Sequence, residues 1–99
     1  MGELDDAARQ LERLLRDPLA TAVRGTLEIT AVSAPAPRGR YQEARIEGLA
    51  SAPGMPPAPV EIAVVLPVRL WPRAGMRLPA QVPPSDPQAL EVAWGALAH

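Results

Sequence analysis

Pro59-Val60-Glu61-Ile62-Ala63-Val64-Val65-Leu66-Pro67-Val68 is the longest apolar run in this chain, and its reading decides the fold. Val60, Ile62, Val64 and Leu66 fall on one side of a period-two pattern, which makes the run a strand with a buried face. The other side carries Glu61, Ala63 and Val65, so it is partly apolar as well. That predicts a central strand, or one covered by a helix, because a strand with one solvated face alternates more cleanly. The run is far short of a membrane span and contains Pro67, so no membrane segment is expected.

The flanking chain repeats the same grammar. Gly25 to Ser33 sets Leu27, Ile29 and Ala31 against Thr26, Glu28 and Thr30, a half-buried strand rich in β-branched residues. Ala34-Pro35-Ala36-Pro37-Arg38-Gly39-Arg40 is a loop, since its prolines cannot donate to a ladder. Tyr41 to Ala50 alternates again, with Ala44, Ile46 and Gly48 inward and Glu43, Arg45 and Glu47 outward. Ser51 to Pro57 reads as a turn. Beyond the central run, Trp71-Pro72-Arg73-Ala74-Gly75 turns the chain into a short strand near Met76 to Val82. Pro83-Pro84-Ser85-Asp86-Pro87 is a rigid corner before a last strand from Leu90 to Trp94.

Five short strands at this spacing predict a small antiparallel barrel, OB- or SH3-like, or a sharply coiled sheet. The expected core is Leu27, Ile29, Ile46, Val60, Ile62, Val64, Leu66, Val82, Val92 and Trp94.

The N-terminal stretch has a different period. Leu4, Ala7, Ala8, Leu11, Leu14 and Leu15 recur at helical spacing, with Arg9, Glu12, Arg13 and Arg16 opposite. Asp5/Arg9 and Glu12/Arg16 are acid-first i, i+4 pairs, and acids crowd the first turn, where they favour the helix dipole. A helix is expected over about Glu3–Arg16, ended by Asp17-Pro18. The fold class is therefore α+β, mainly β: an N-terminal helical segment over residues 1–24 and a β domain over 25–99. The leucine stripe must be buried on the domain's own sheet or on another chain, since so short a helix is marginal alone.

At 99 residues the chain has the size of one domain with a modest core. A formal net charge of -1 gives no bulk electrostatic case for nucleic acid or a membrane surface. There is no Cys, which excludes disulfides, thiol catalysis and thiolate metal sites. The acidic N-terminus has no apolar core of a secretory signal, so a cytoplasmic location is expected. Every basic residue is Arg, with no Lys, Asn or Phe, the bias of a GC-rich genome.

At Ala74-Gly75-Met76-Arg77-Leu78-Pro79-Ala80-Gln81-Val82-Pro83-Pro84-Ser85-Asp86-Pro87, leading to Val92 and Trp94, the chain resembles a β-rich module of actinobacterial proteins of unknown function. That module reads Pro-Gly, two variable residues, Leu-Pro-Val, then Val-Asp-Pro and Asp-Pro, and closes on a strand ending in Trp. The likeness covers about Gly25 to Trp94, and departs at Ala74, Ala80 and Pro83, where Pro, Val and Asp are usual. It implies a fold of turns and strands, and no catalytic residue.

The residues offer little chemistry. With His99 the single histidine, Ser33, Ser51 and Ser85 have no evident base. Glu43 and Glu47 fall on an outward, charged face. No catalytic residue, cofactor or metal ligand is expected. Function is therefore expected to be non-enzymatic: self-association or protein docking through Leu4, Leu11, Leu14, Leu15 and Trp71. Trp71 suits either a lid over one end of the barrel or an exposed anchor. The alternative is an anion- or oligonucleotide-binding barrel using Arg38, Arg40, Arg69, Arg73 and Arg77 around Trp71. A small enzyme is the weakest alternative.

Overall fold

The computed structural model describes residues 21–98. The helix expected over Glu3–Arg16 and its leucines Leu4, Leu11, Leu14 and Leu15 lie outside them, as does His99.

The described chain forms one antiparallel sheet of five strands. They are β1 (Val23–Val32), β2 (Tyr41–Ala52), β3 (Met55–Pro67), β4 (Arg77–Val82) and β5 (Glu91–Val92). Their order in space is β3-β2-β1-β4-β5. Three single 3-10 turns punctuate the second half, at Val68–Leu70, Pro87–Ala89 and Trp94–Ala98. The last of these replaces the end of the strand expected at Leu90 to Trp94, of which only Glu91 and Val92 pair with β4.

The sheet is not a closed barrel, because β3 and β5 are its two edges. This also corrects the expectation that β3 is central. The reason lies in its prolines, Pro56, Pro57, Pro59 and Pro67, which have no N–H to give to a second neighbour. Pro59 pairs in register with Leu49 and Pro67 with Tyr41, positions whose backbone groups point away from β2. Pro56 and Pro57 fall at the register shift between Ala50 and Ala52, where β3 carries an extra residue. Placed so, prolines cost the β2 ladder nothing, and the strand begins at Met55 inside the stretch that reads as a turn.

One face of the sheet carries the core: Leu27, Ile29, Ala44, Ile46, Ala50, Val60, Leu66, Leu78, Ala80 and Val82 are buried. Ile62, Val64, Val92 and Trp94 are half-buried against it. The inward face expected for Leu27 and Ile29 ends at Thr30, which stands unpaired in a bulge opposite Glu47 and Gly48. Its hydroxyl donates to the Glu47 carbonyl at 3.1 Å. One extra residue reverses the alternation, so Ala31, expected inward, is exposed and Val32 turns toward the core.

Beside the bulge, Gly48 lets β1 and β2 close up. A Cβ there would lie 2.6 Å from the Glu28 carbonyl oxygen and 2.7 Å from Leu27 Cδ1. Gly25 is tighter still, 2.0 Å from the Ser51 carbonyl oxygen. Both positions need a residue without a side chain, whatever their φ.

Candidate interaction surfaces

The antiparallel order brings the β1–β2 loop and the β3–β4 connection to the same end of the sheet. Three contacts lock these segments. Gln42 folds its amide into the β1–β2 loop, accepting from the Ala36 N–H at 2.6 Å and donating to the Ala36, Arg38 and Gly39 carbonyls. Gly39 supplies the left-handed turn, at φ 111°. The Val68 N–H donates to the Arg40 carbonyl at 2.8 Å, tying the second connection to the first. Trp71 completes the link, its indole N–H donating to the Ser33 carbonyl at 2.8 Å while the ring packs half-buried on the core. Ser33 itself ends the β1–β2 ladder, exchanging bonds with the Arg45 backbone.

This end carries five of the ten basic residues: Arg38 and Arg40 on one loop, Arg69 and Arg73 on the other connection, and Arg77 at the start of β4. Neither Ser33–Gln42 nor Leu66–Arg77 contains a carboxylate. Arg40 and Arg69 meet across a groove of about 570 Å³ formed with Gly39, Tyr41, Pro67 and Val68. Tyr41 is 67% exposed there. Arg77 stands apart, 3.9 Å from Glu28 on the outer face of the sheet. Arg38 and Arg73 share the end and are exposed, but they are not lining residues of the groove.

The second surface is the rim of β3. Gln88, in the turn before β5, reaches across to Glu61 with both ends of its amide. It accepts from the Glu61 N–H at 3.0 Å and donates to the Glu61 carbonyl. A side chain thus fills the seam between the two edges where a barrel would place a ladder. These bonds also fix the direction of the strand: Glu61 faces away from β2, so by alternation Ala63, Val65 and Pro67 do as well. Pro59 and Pro67 offer no N–H, and the Glu61 groups are engaged. What remains open is a short window, the N–H and C=O of Ala63 and Val65, on the side of β3 that meets no strand among the described residues. The Pro67 carbonyl, at the N-cap, takes the first bond of the Val68–Leu70 turn. Val65 is 64% exposed on the outer face, with Ala63 exposed beside it.

Among the described residues, no group of three or more His, Asp or Glu is placed to hold a metal ion. No described helix is long and apolar enough to cross a membrane. No buried side-chain polar atom among them lacks a partner. The arginines and Trp71 stand out in the sequence, whereas the two glutamines that brace these surfaces do not. In a chain without Asn, glutamine is the only side-chain amide, and Gln42 and Gln88 lie at a strand start and beside a turn. The motif residues of Ala74 to Pro87 serve as the turn into β4, β4 itself and the turn before β5. Compared with protein-family models, characterised proteins and solved structures, the chain matches none.

Proposed function

We propose that this chain is a non-enzymatic interaction module that works by self-association or by docking to another protein. The observation that carries the reading is the rim of β3. A sheet whose edge is guarded by Pro57, Pro59, Pro67 and the Gln88 amide leaves one window, at Ala63–Val65, with free backbone groups and apolar side chains. Natural sheets protect such edges, because an open edge is a template for another strand. Strand addition at an exposed edge is a recurrent mode of protein recognition. In the sequence, Leu4, Leu11, Leu14 and Leu15, outside the described residues, recur at helical spacing, and a helix there would add a second apolar surface for the same purpose.

A second reading rests on the arginine end. Four guanidinium groups, of Arg38, Arg40, Arg69 and Arg73, on two tied loops without a carboxylate favour an anion, and Tyr41 beside Arg40 and Arg69 supplies a stacking ring. Single-strand binders combine such charge with several aromatics, and here only one ring lines the groove, so this reading ranks second.

Salt separates the two. Solution mass is measured over a concentration series at low and high salt, alongside titration with a single-stranded oligonucleotide. A mass above the monomer that falls little with salt supports the interaction module. A monomer that binds the oligonucleotide with a steep loss of affinity as salt rises overturns it in favour of the anion site.

A further inference from the structure

We infer that two copies of this chain pair antiparallel through the Ala63–Pro67 window of β3, with Val65 opposite Val65 on a two-fold axis. This rests on the interaction-module reading and names its partner as a second copy.

The register follows from what each position can give. With Val65 facing Val65, each Val65 N–H donates to the Val65 carbonyl of the second copy. Each Ala63 N–H donates to the Pro67 carbonyl of the second copy. Every outward N–H of both windows is then used, and Pro67, which has none, is asked for none. Pro67 is extended, at φ -63° and ψ 134°, and the next N–H is bound to Arg40, so its own carbonyl points away from β2. It accepts the first bond of the Val68–Leu70 turn and keeps one lone pair for the Ala63 N–H of the second copy.

The neighbouring register, with Val64 facing Val64, fails on sterics. It sets Pro67 of the second copy against Glu61, where the Gln88 amide already sits. In the Val65 register the second copy's strand has ended by that level, because its chain turns away at Val68–Leu70.

Charge argues for a copy of this chain rather than any extended peptide. In the chosen register Glu61 lies beyond the end of the second copy's strand, beside its Val68–Leu70 turn, which carries Arg69, and the symmetry repeats the pair. Both residues are exposed, and neither has an ion partner among the described residues. On the outer face Val65 meets Val65, covering the most exposed large aliphatic side chain in the described sheet. The contact is short, at the small end of specific interfaces, so the pairing is concentration-dependent.

The test is sedimentation equilibrium of the full chain over a wide concentration range. The wild type is expected to rise toward twice the monomer mass. Val65→Pro removes an N–H that faces away from β2, a place where an edge strand accepts proline. It is expected to stay monomeric at every concentration with its far-UV dichroism unchanged. Glu61→Arg alone and Arg69→Glu alone are each expected to weaken pairing on the order of tenfold, and the double reversal to restore it. The charge reversal leaves the backbone untouched, so it decides the matter even if the proline variant fails to fold. A wild type that is monomeric throughout overturns the pairing. So does a dimer that survives Val65→Pro, or a double reversal without recovery. A dimer that survives Val65→Pro but is lost in the Leu4→Ser, Leu11→Ser variant puts the interface on the N-terminal stripe. That outcome overturns this inference and leaves the interaction-module reading standing.

Discussion

β2 and β3 are of nearly equal length, 12 and 13 residues, and lie side by side from Tyr41↔Pro67 to Ala52↔Met55. One is bonded on both sides and the other on one. β2 has no proline and a glycine where β1 presses closest. β3 has four prolines and no glycine. The difference teaches what each residue type reports in a sheet. A central strand needs every N–H and sometimes needs a missing side chain; a rim strand can spare every second N–H and gains protection by losing it.

The largest effect should come from the buried middle. Ile46, on β2, is 1% exposed. Ile46→Ala should cost about 2–5 kcal/mol, read as a lower denaturant midpoint with an unchanged slope. A loss under about 1 kcal/mol would mean that the middle strand is no more demanding than the rim.

Proline placement gives the next contrast. Leu49 and Pro59 are register partners, and the N–H of Leu49 faces β1 at Glu28. Leu49→Pro should strand the Glu28 carbonyl and cost about 1–3 kcal/mol from that bond alone, with added loss from the ring. The mirrored change Leu49→Pro, Pro59→Leu should not recover it, because leucine at 59 regains a donor that points to the rim. Thermal melts of both variants check this. Full recovery would show that the strands are interchangeable.

The seam comes third. Gln88→Ala removes two exposed bonds to Glu61 and should cost about 1 kcal/mol. Amide exchange is the sharper probe. The Glu61 N–H should lose protection in the variant, while that of Ile62, which faces β2, keeps it. Equal loss at both would make Gln88 a support for the whole strand rather than a clamp on one residue.

The smallest effect belongs to the rim side chain. Val65→Ala should change monomer stability by no more than about 0.5 kcal/mol, since the site is exposed. A larger loss, measured at concentrations too low for association, would show that residue 65 is covered within its own chain.

The faces of the sheet were legible in the sequence because period two is a property of the chain alone. Ala44, Ile46, Val60 and Leu66 could be placed inside on that ground, and they are buried. Ala31 could not, because the bulge at Thr30 depends on how β1 meets Gly48 across the ladder. Nor does alternation say how many neighbours a strand has. Ala63 and Val65 read as the second face of a covered strand, yet they line a rim. One clue was present: Pro59 and Pro67 share the odd parity of Glu61, which puts the missing donors on one side. At the candidate site the arginines could be assigned to the segments between strands, but not which of them come together: only Arg40 and Arg69 share a groove, and Arg77 turns to Glu28. The Gln42 and Gln88 contacts were not legible, since a lone glutamine has no pattern.

The β1–β4 ladder has a consequence for synthesis. Val23 pairs with Val82 and Glu28 with Arg77, so one side of β1 waits for chain made much later. The β1–β2–β3 meander involves only local hairpins and can form as soon as Pro67 is free. Until Arg77 to Val82 emerge, β1 is a second rim, and it has no proline and no glutamine clamp, with Arg24 and Glu28 its charged residues. A nascent chain halted near Leu70 would therefore expose an unguarded edge of the kind that recruits other chains. Truncation there should give insoluble protein, whereas truncation after Pro84 should leave β1 paired and the product soluble.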